Sequence, residues 1–258
     1  MILVPNLYIF VFNQILKMEY NSYEPRTINV LSEEMKLSQS RYMSKVYAWM
    51  SLALAITGVV AFGVASSELL ITALMTNKIL FYALIFGELG LVVWLSARIQ
   101  KMSYTTAMGA YLAYAVLNGA TLSLIFMIYT ASSIATTFFI TAGTFAVMSF
   151  YGYVTKTDLT KIGKILMMLL VGLIIASLVN IFMKSPMIYW ITTYVGVAIF
   201  VGLIAYDTQK IKNFFLEVNG DESQLKKIAI IGALTLYLDF INLFLFLLRL
   251  FGGGRSND

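Results

Sequence analysis

Seven stretches of the 258-residue chain are apolar for about 20 residues each, the length a helix needs to cross the hydrocarbon core of a bilayer. They are Val46–Ala65, Ile79–Ala97, Met108–Ile128, Ile134–Val154, Ile165–Met183, Met187–Tyr206 and Ile228–Phe251. The runs are continuous. A membrane barrel would instead show strands of about ten residues with alternating polarity. The pattern predicts an all-α integral membrane protein with seven transmembrane helices joined by short loops. No sequence repeat survives residue-by-residue comparison, although a three-plus-three-plus-one arrangement fits the count.

Outside these runs the chain changes character. Residues 1–45 read as a polar N-terminal cytoplasmic tail, with Asn21 to Ser40 flexible. Within it, Ile2–Phe12 is apolar but too short to span, and it lacks the basic start of a signal peptide. It is either an interfacial stretch or an upstream start artefact covering residues 1–17, with Met18 as the true first residue. Residues 46–251 form the membrane domain and 252–258 a flexible C-terminal tail.

Basic residues give the orientation. With the N-terminus inside, fourteen of the 18 Lys and Arg face the cytoplasm. That bias predicts N-in and C-out. A six-span chain with a re-entrant last segment is the rival topology.

Composition narrows the chemistry. The chain is 60% hydrophobic and 12% charged, with mean hydropathy +0.83. It has no Cys, which excludes disulfides and thiolate metal sites, and no His, which excludes most zinc sites and Ser/His catalysis. The net charge of +5 fits anchoring to anionic lipid better than nucleic-acid binding.

The candidate functional residues are acids inside apolar runs. Asp207 lies in Ile204-Ala-Tyr-Asp-Thr-Gln209 and Asp239 in Leu236-Tyr-Leu-Asp-Phe-Ile-Asn242. A carboxylate in lipid costs roughly 2.5–3.5 kcal/mol on insertion scales, so each is a functional candidate. Two of them in adjacent segments suggest a shared site for a cation or proton. Their depths agree only if helix six continues to Leu216, if a helix tilts, or if helix seven starts late. Glu88 sits in the middle of helix two and needs protonation, water or a partner across the bundle. Arg98, at the inner end of that helix, is either a lipid anchor or a partner for the aspartates. In the last helix Gly232, Thr235, Asp239 and Asn242 share one face, with Thr235 and Asn242 read as interhelical hydrogen-bonding residues.

Four motifs then point to a family. They are Tyr114-Ala-Val-Leu-Asn-Gly119, Phe150-Tyr-Gly-Tyr153 followed by Lys156-Thr-Asp-Leu159, Ala205-Tyr-Asp-Thr-Gln209, and Ala233-Leu-Thr-Leu-Tyr-Leu-Asp-Phe-Ile-Asn-Leu-Phe244. From about Arg41 to Gly252 the chain resembles the Bax inhibitor family of transmembrane proteins. The resemblance implies a last helix that is central in the bundle. It implies a pH-sensitive calcium leak, as in prokaryotic members, and for some bacterial members a membrane-bound protease as partner. It implies that Asp207 and Asp239 form a paired-aspartate sensor, that Arg98 is its latch, and that Glu88 lies on the permeation path.

Together these observations predict a passive Ca²⁺ leak in a prokaryotic inner membrane, or alternatively in a eukaryotic internal membrane. Glu88, Asp207 and Asp239 supply weak acidic contacts, and Asn242 and Thr235 neutral ones. No cofactor is expected, and the partners are lipid, Ca²⁺ and H⁺. The expected pH profile is a bell: mild acid opens the latch and stronger acid discharges the permeation acids. Three other readings remain. A proton-coupled cation exchanger fits the same acids. A non-transporting regulator bound to a membrane protease needs none of them. An intramembrane aspartyl protease also pairs aspartates, but this chain lacks Gly-x-Gly-Asp and Pro-Ala-Leu motifs.

Overall fold

The computed structural model describes residues 33–217 and 222–254. Among them are the helices α1 (Glu33–Ser66), α2 (Glu68–Thr76), α3 (Lys78–Arg98), α4 (Tyr104–Leu122), α5 (Ile125–Ile128), α6 (Ala131–Val154), α7 (Thr160–Met183), α8 (Pro186–Glu217) and α9 (Glu222–Phe251). Seven helical spans are long and apolar enough to cross a membrane, with α4 and α5 running together as one. The short α2 is not one of them.

The helices start where the sequence offers a cap. Ser67, Asn77, Ser103 and Thr130 each accept a hydrogen bond from a backbone N–H in the first turn of the helix that follows. Pro186 opens α8, where its missing N–H costs nothing. Lys184, at the end of α7, takes the left-handed conformation (φ 51°) that closes a helix before such a proline.

Three boundaries differ from the sequence reading. First, α1 begins at Glu33, so residues 33–40, within the stretch read as flexible, are helical. The early turns find partners on α8: Gln39 Nε2 donates to the Lys212 carbonyl at 3.1 Å, and Tyr42 packs on Phe215 with ring centres 5.7 Å apart. Second, α8 continues to Glu217, eleven residues past Tyr206. Third, Gly252–Gly254 are held in place. The Gly253 N–H donates to Ser133 Oγ at 2.8 Å, and its carbonyl accepts from Thr130 N–H at 3.3 Å. The stretch Ile2–Phe12, the question of Met18 and residues 255–258 lie outside the described residues.

The last helix is one continuous segment of 30 residues and not a re-entrant loop. Every residue from 229 to 248 is buried. It packs against α1, α4, α6 and α8. A helix that is apolar on nearly every side needs protein on every side, and these four supply it. Beyond them, α7 packs on α8, and α3 on α4.

Candidate functional site

Close packing fixes how α8 and α9 face each other. A Cβ on Gly232 would stand 3.0 Å from the Ile211 side chain, and one on Gly196 would stand 2.6 Å from the Phe246 ring. Phe200 and Phe246 stack with centres 5.9 Å apart. On α8, residues 196, 200, 207 and 211 follow steps of four and seven, so they share a face. On α9, residues 232, 239 and 246 do the same. Asp207 therefore lies on the side of α8 that meets α9, and Asp239 on the side of α9 that meets α8.

The depths agree as well. Counted from the Phe200–Phe246 stack, each aspartate is seven residues along its helix. Counted from the Ile211–Gly232 contact, they differ by three residues, or about 4.5 Å of rise. The extension of α8 to Glu217 resolves the depth mismatch. Asp207 is 3% exposed and Asp239 is 0% exposed.

Lys210, one turn after Tyr206, is also buried and lies over the rings of Tyr206 and Phe214, 5.6 and 5.8 Å from their centres. The ammonium is buried there, against the faces of the two rings.

Glu88 is buried and paired across the bundle. Asn118 Nδ2 donates to its Oε2 at 3.2 Å, and the Thr121 hydroxyl donates to its Oε1. Asn118 Oδ1 in turn accepts from Tyr237 Oη at 3.0 Å, and Tyr237 Oη contacts Thr57 Oγ1 at 2.7 Å. The acid on α3 is thus connected through α4 to α9 and α1.

The other candidates sit differently. Arg98 is exposed at the end of α3, and its side chain makes no hydrogen bond or ion pair among the described residues. The structure does not bring it to the aspartates. Thr235 Oγ1 donates to the Ile231 carbonyl at 3.0 Å and Asn242 Nδ2 to the Leu238 carbonyl at 2.8 Å. Both return a bond to their own helix instead of reaching a neighbour. Among the described residues no three acids cluster as a metal cage would require, and the side-chain partners of Glu88 are on α4.

The chain matches the family model described as inhibitor of apoptosis-promoting Bax1 over residues 39–257. That is most of its length. The chain belongs to the Bax inhibitor family. It is 49% identical to the Escherichia coli inner membrane protein YbhL over 90% of this chain and 98% of that protein. A Borreliella burgdorferi protein is 46% identical over 86% of this chain and 95% of its own length. The Rickettsia prowazekii protein RP147 is 46% identical over 84% and 91%.

In this Bax inhibitor family member, the Ala205–Gln209 motif is where α8 is joined to three other helices. Asp207 faces α9. Thr208 Oγ1 shares a 3.0 Å hydrogen bond with Ser149 of α6, whose hydroxyl is 2.6 Å from Tyr47 Oη on α1. Gln209 holds the turn between α6 and α7: it donates to the Thr157 carbonyl at 2.8 Å and accepts from the Leu159 N–H at 2.9 Å. A cleft of about 430 Å³ opens beside Tyr47 and Ser149, between α1 and α6, with Ser40, Ser44 and Tyr153 among its walls.

Sequence reasoning gave no role to Asn118, Thr121, Tyr237, Thr57 or Gln209. Asn118, Tyr237 and Gln209 stand inside the quoted family motifs, and that was the available signal. Thr57 and Thr121 carried none.

Proposed function

We propose that the protein is a passive, pH-regulated calcium leak of a bacterial inner membrane. The observation that supports this reading is the placement of Asp207 and Asp239 on facing sides of α8 and α9, at nearly one depth, inside a bundle of apolar helices. Two carboxyls so placed share a proton and titrate as a pair. Ca²⁺ prefers oxygen ligands, and an ion that must also leave needs few of them. The scattered acids suit passage better than storage. Below both apparent titration steps the carboxyls are neutral and attract Ca²⁺ poorly, so the leak falls in strong acid.

Calcium flux into liposomes holding the purified protein tests this, measured across pH for wild type and Asp239→Asn. Wild type conducts down a calcium gradient without a proton gradient, and Asp239→Asn loses most of the pH dependence. Flux that requires a proton gradient would make the protein an exchanger. No flux at any pH would leave a partner-binding regulator.

A further inference from the structure

The chain Glu88, Asn118, Tyr237, Thr57 has more contacts than protons. Asn118 Oδ1 is 3.0 Å from Tyr237 Oη, which is 2.7 Å from Thr57 Oγ1, which is 3.0 Å from the Ala115 carbonyl. Each contact needs one hydrogen. With the Asn118 amide turned to donate to Glu88, only the Tyr237 and Thr57 hydroxyls supply hydrogens. Two protons serve three contacts.

Which contact goes without follows from the distances. Two hydroxyl oxygens 2.7 Å apart with no proton between them repel. The amide oxygen facing Tyr237 is buried and needs its donor. The Ala115 carbonyl lies within α4, whose backbone already supplies a donor. While Glu88 is ionised, then, Tyr237 donates to Asn118, Thr57 donates to Tyr237, and Ala115 goes without the hydroxyl.

Protonated Glu88 reverses the order. The acid takes one proton from water and becomes a donor. Asn118 turns its amide over and accepts from Glu88 through Oδ1. Its N–H now donates to Tyr237, Tyr237 to Thr57, and Thr57 to the Ala115 carbonyl. Every contact holds a hydrogen, and no heavy atom needs to move beyond the amide flip.

We propose that Asn118 and Tyr237 are positioning residues that pass the charge state of Glu88, as a reversal of hydrogen-bond direction, from α3 to Thr57 on α1. The inference deepens the reading of Glu88 as an acid on the ion route, and its test does not need that reading to hold. The titratable groups facing Glu88 are Tyr114 on α4 and Tyr237 on α9. No lysine or arginine pairs with it among the described residues. The charged groups of the neighbouring short elements, Glu68 on α2 and Lys101 in the turn after α3, are exposed.

The test reads the far end of the chain. The full-length protein, carrying carbonyl-labelled alanine, is placed in lipid bilayers, and the Ala115 carbonyl resonance is followed by solid-state NMR from acid to alkaline pH. In wild type the resonance moves between two positions as Glu88 titrates, and in Glu88→Gln it does not move. Tyr237→Phe fixes it at the acid position, because Thr57 then always donates to Ala115. Thr57→Val fixes it at the alkaline position. These opposite outcomes keep a single misfolded variant from deciding the matter, and loss of packing alone would not produce them. A wild-type resonance that stays in place, or one that still moves in Tyr237→Phe, overturns the proposal. The calcium leak is measured separately in liposomes, so a silent leak with a moving resonance would remove the function and keep the relay.

Discussion

Gly152 of α6 lies so close to Ala205 of α8 that a Cβ added to it would collide with the Ala205 carbonyl. The obstacle is backbone, which cannot rotate aside. Gly152→Ala is expected to push α6 from α8 and to cost about 1–3 kcal/mol through overpacking. Thermal unfolding in detergent reads this as a lower midpoint. The same substitution at Gly109, which has nothing within 4 Å of its added Cβ, leaves the midpoint unchanged.

The paired aspartates predict non-additivity. Asp207→Asn and Asp239→Asn should each flatten the pH profile of calcium flux, and the double variant should add little to either. Residues that act as one unit couple by about 0.5–3 kcal/mol in a double-mutant cycle. Additive effects on the profile would mean that the two carboxyls act separately.

Glu88 and Arg98 separate permeation from anchoring. Glu88→Gln should lower flux at the pH values at which Glu88 is ionised, since it removes a buried charge there, and should change it little once the acid is protonated. Arg98 is exposed and has no partner among the described residues, so Arg98→Gln should leave the pH profile in place. A profile displaced by Arg98→Gln would restore the latch expected from the family resemblance.

The turn before α7 has its own acid dependence. Asp158 Oδ1 accepts from the Thr160 N–H at 2.9 Å, and hydrogen bonds from Thr160 hold its carboxyl below the ordinary aspartate range. A lowered value means that the carboxylate favours the folded turn above the unfolded value of roughly 4. That contribution is lost as pH falls through the lower folded value. After correction for intrinsic rates, amide exchange at Thr160 should speed up as pH falls below the ordinary aspartate range, and Asp158→Asn should remove the change.

Gln209 ties the same turn to α8. Gln209→Ala strips the Leu159 N–H and the Thr157 carbonyl of their partner, at about 1 kcal/mol for each bond. Exchange at Leu159 should rise while exchange in the α9 core stays slow. A uniform rise along the chain would show global destabilisation instead.

The seven spans were legible because each is a continuous apolar run, and hydropathy records that directly. The facing of Asp207 and Asp239 was half legible. Their cost in lipid marked them, but their common depth depended on the course of α8 past Tyr206, where Lys210 and Lys212 interrupt the apolar run. Within the helix Lys210 lies over Tyr206 and Lys212 over Tyr153, contacts between rings and cations that hydropathy does not see. The partners of Glu88 were not legible, because no local spacing links residue 88 to 118 and 121. Thr235 and Asn242 looked like bridges between helices, and they bond to their own backbone because an i−4 carbonyl is always within reach.

The burial of α9 on all sides bears on how the chain is assembled. During synthesis α1 to α8 emerge and enter the bilayer before α9 exists. The faces of α1, α4, α6 and α8 that later enclose it must meet lipid or one another in the meantime. The faces that enclose α9 can close only after it is made, so a late helix completes the packing of an early one.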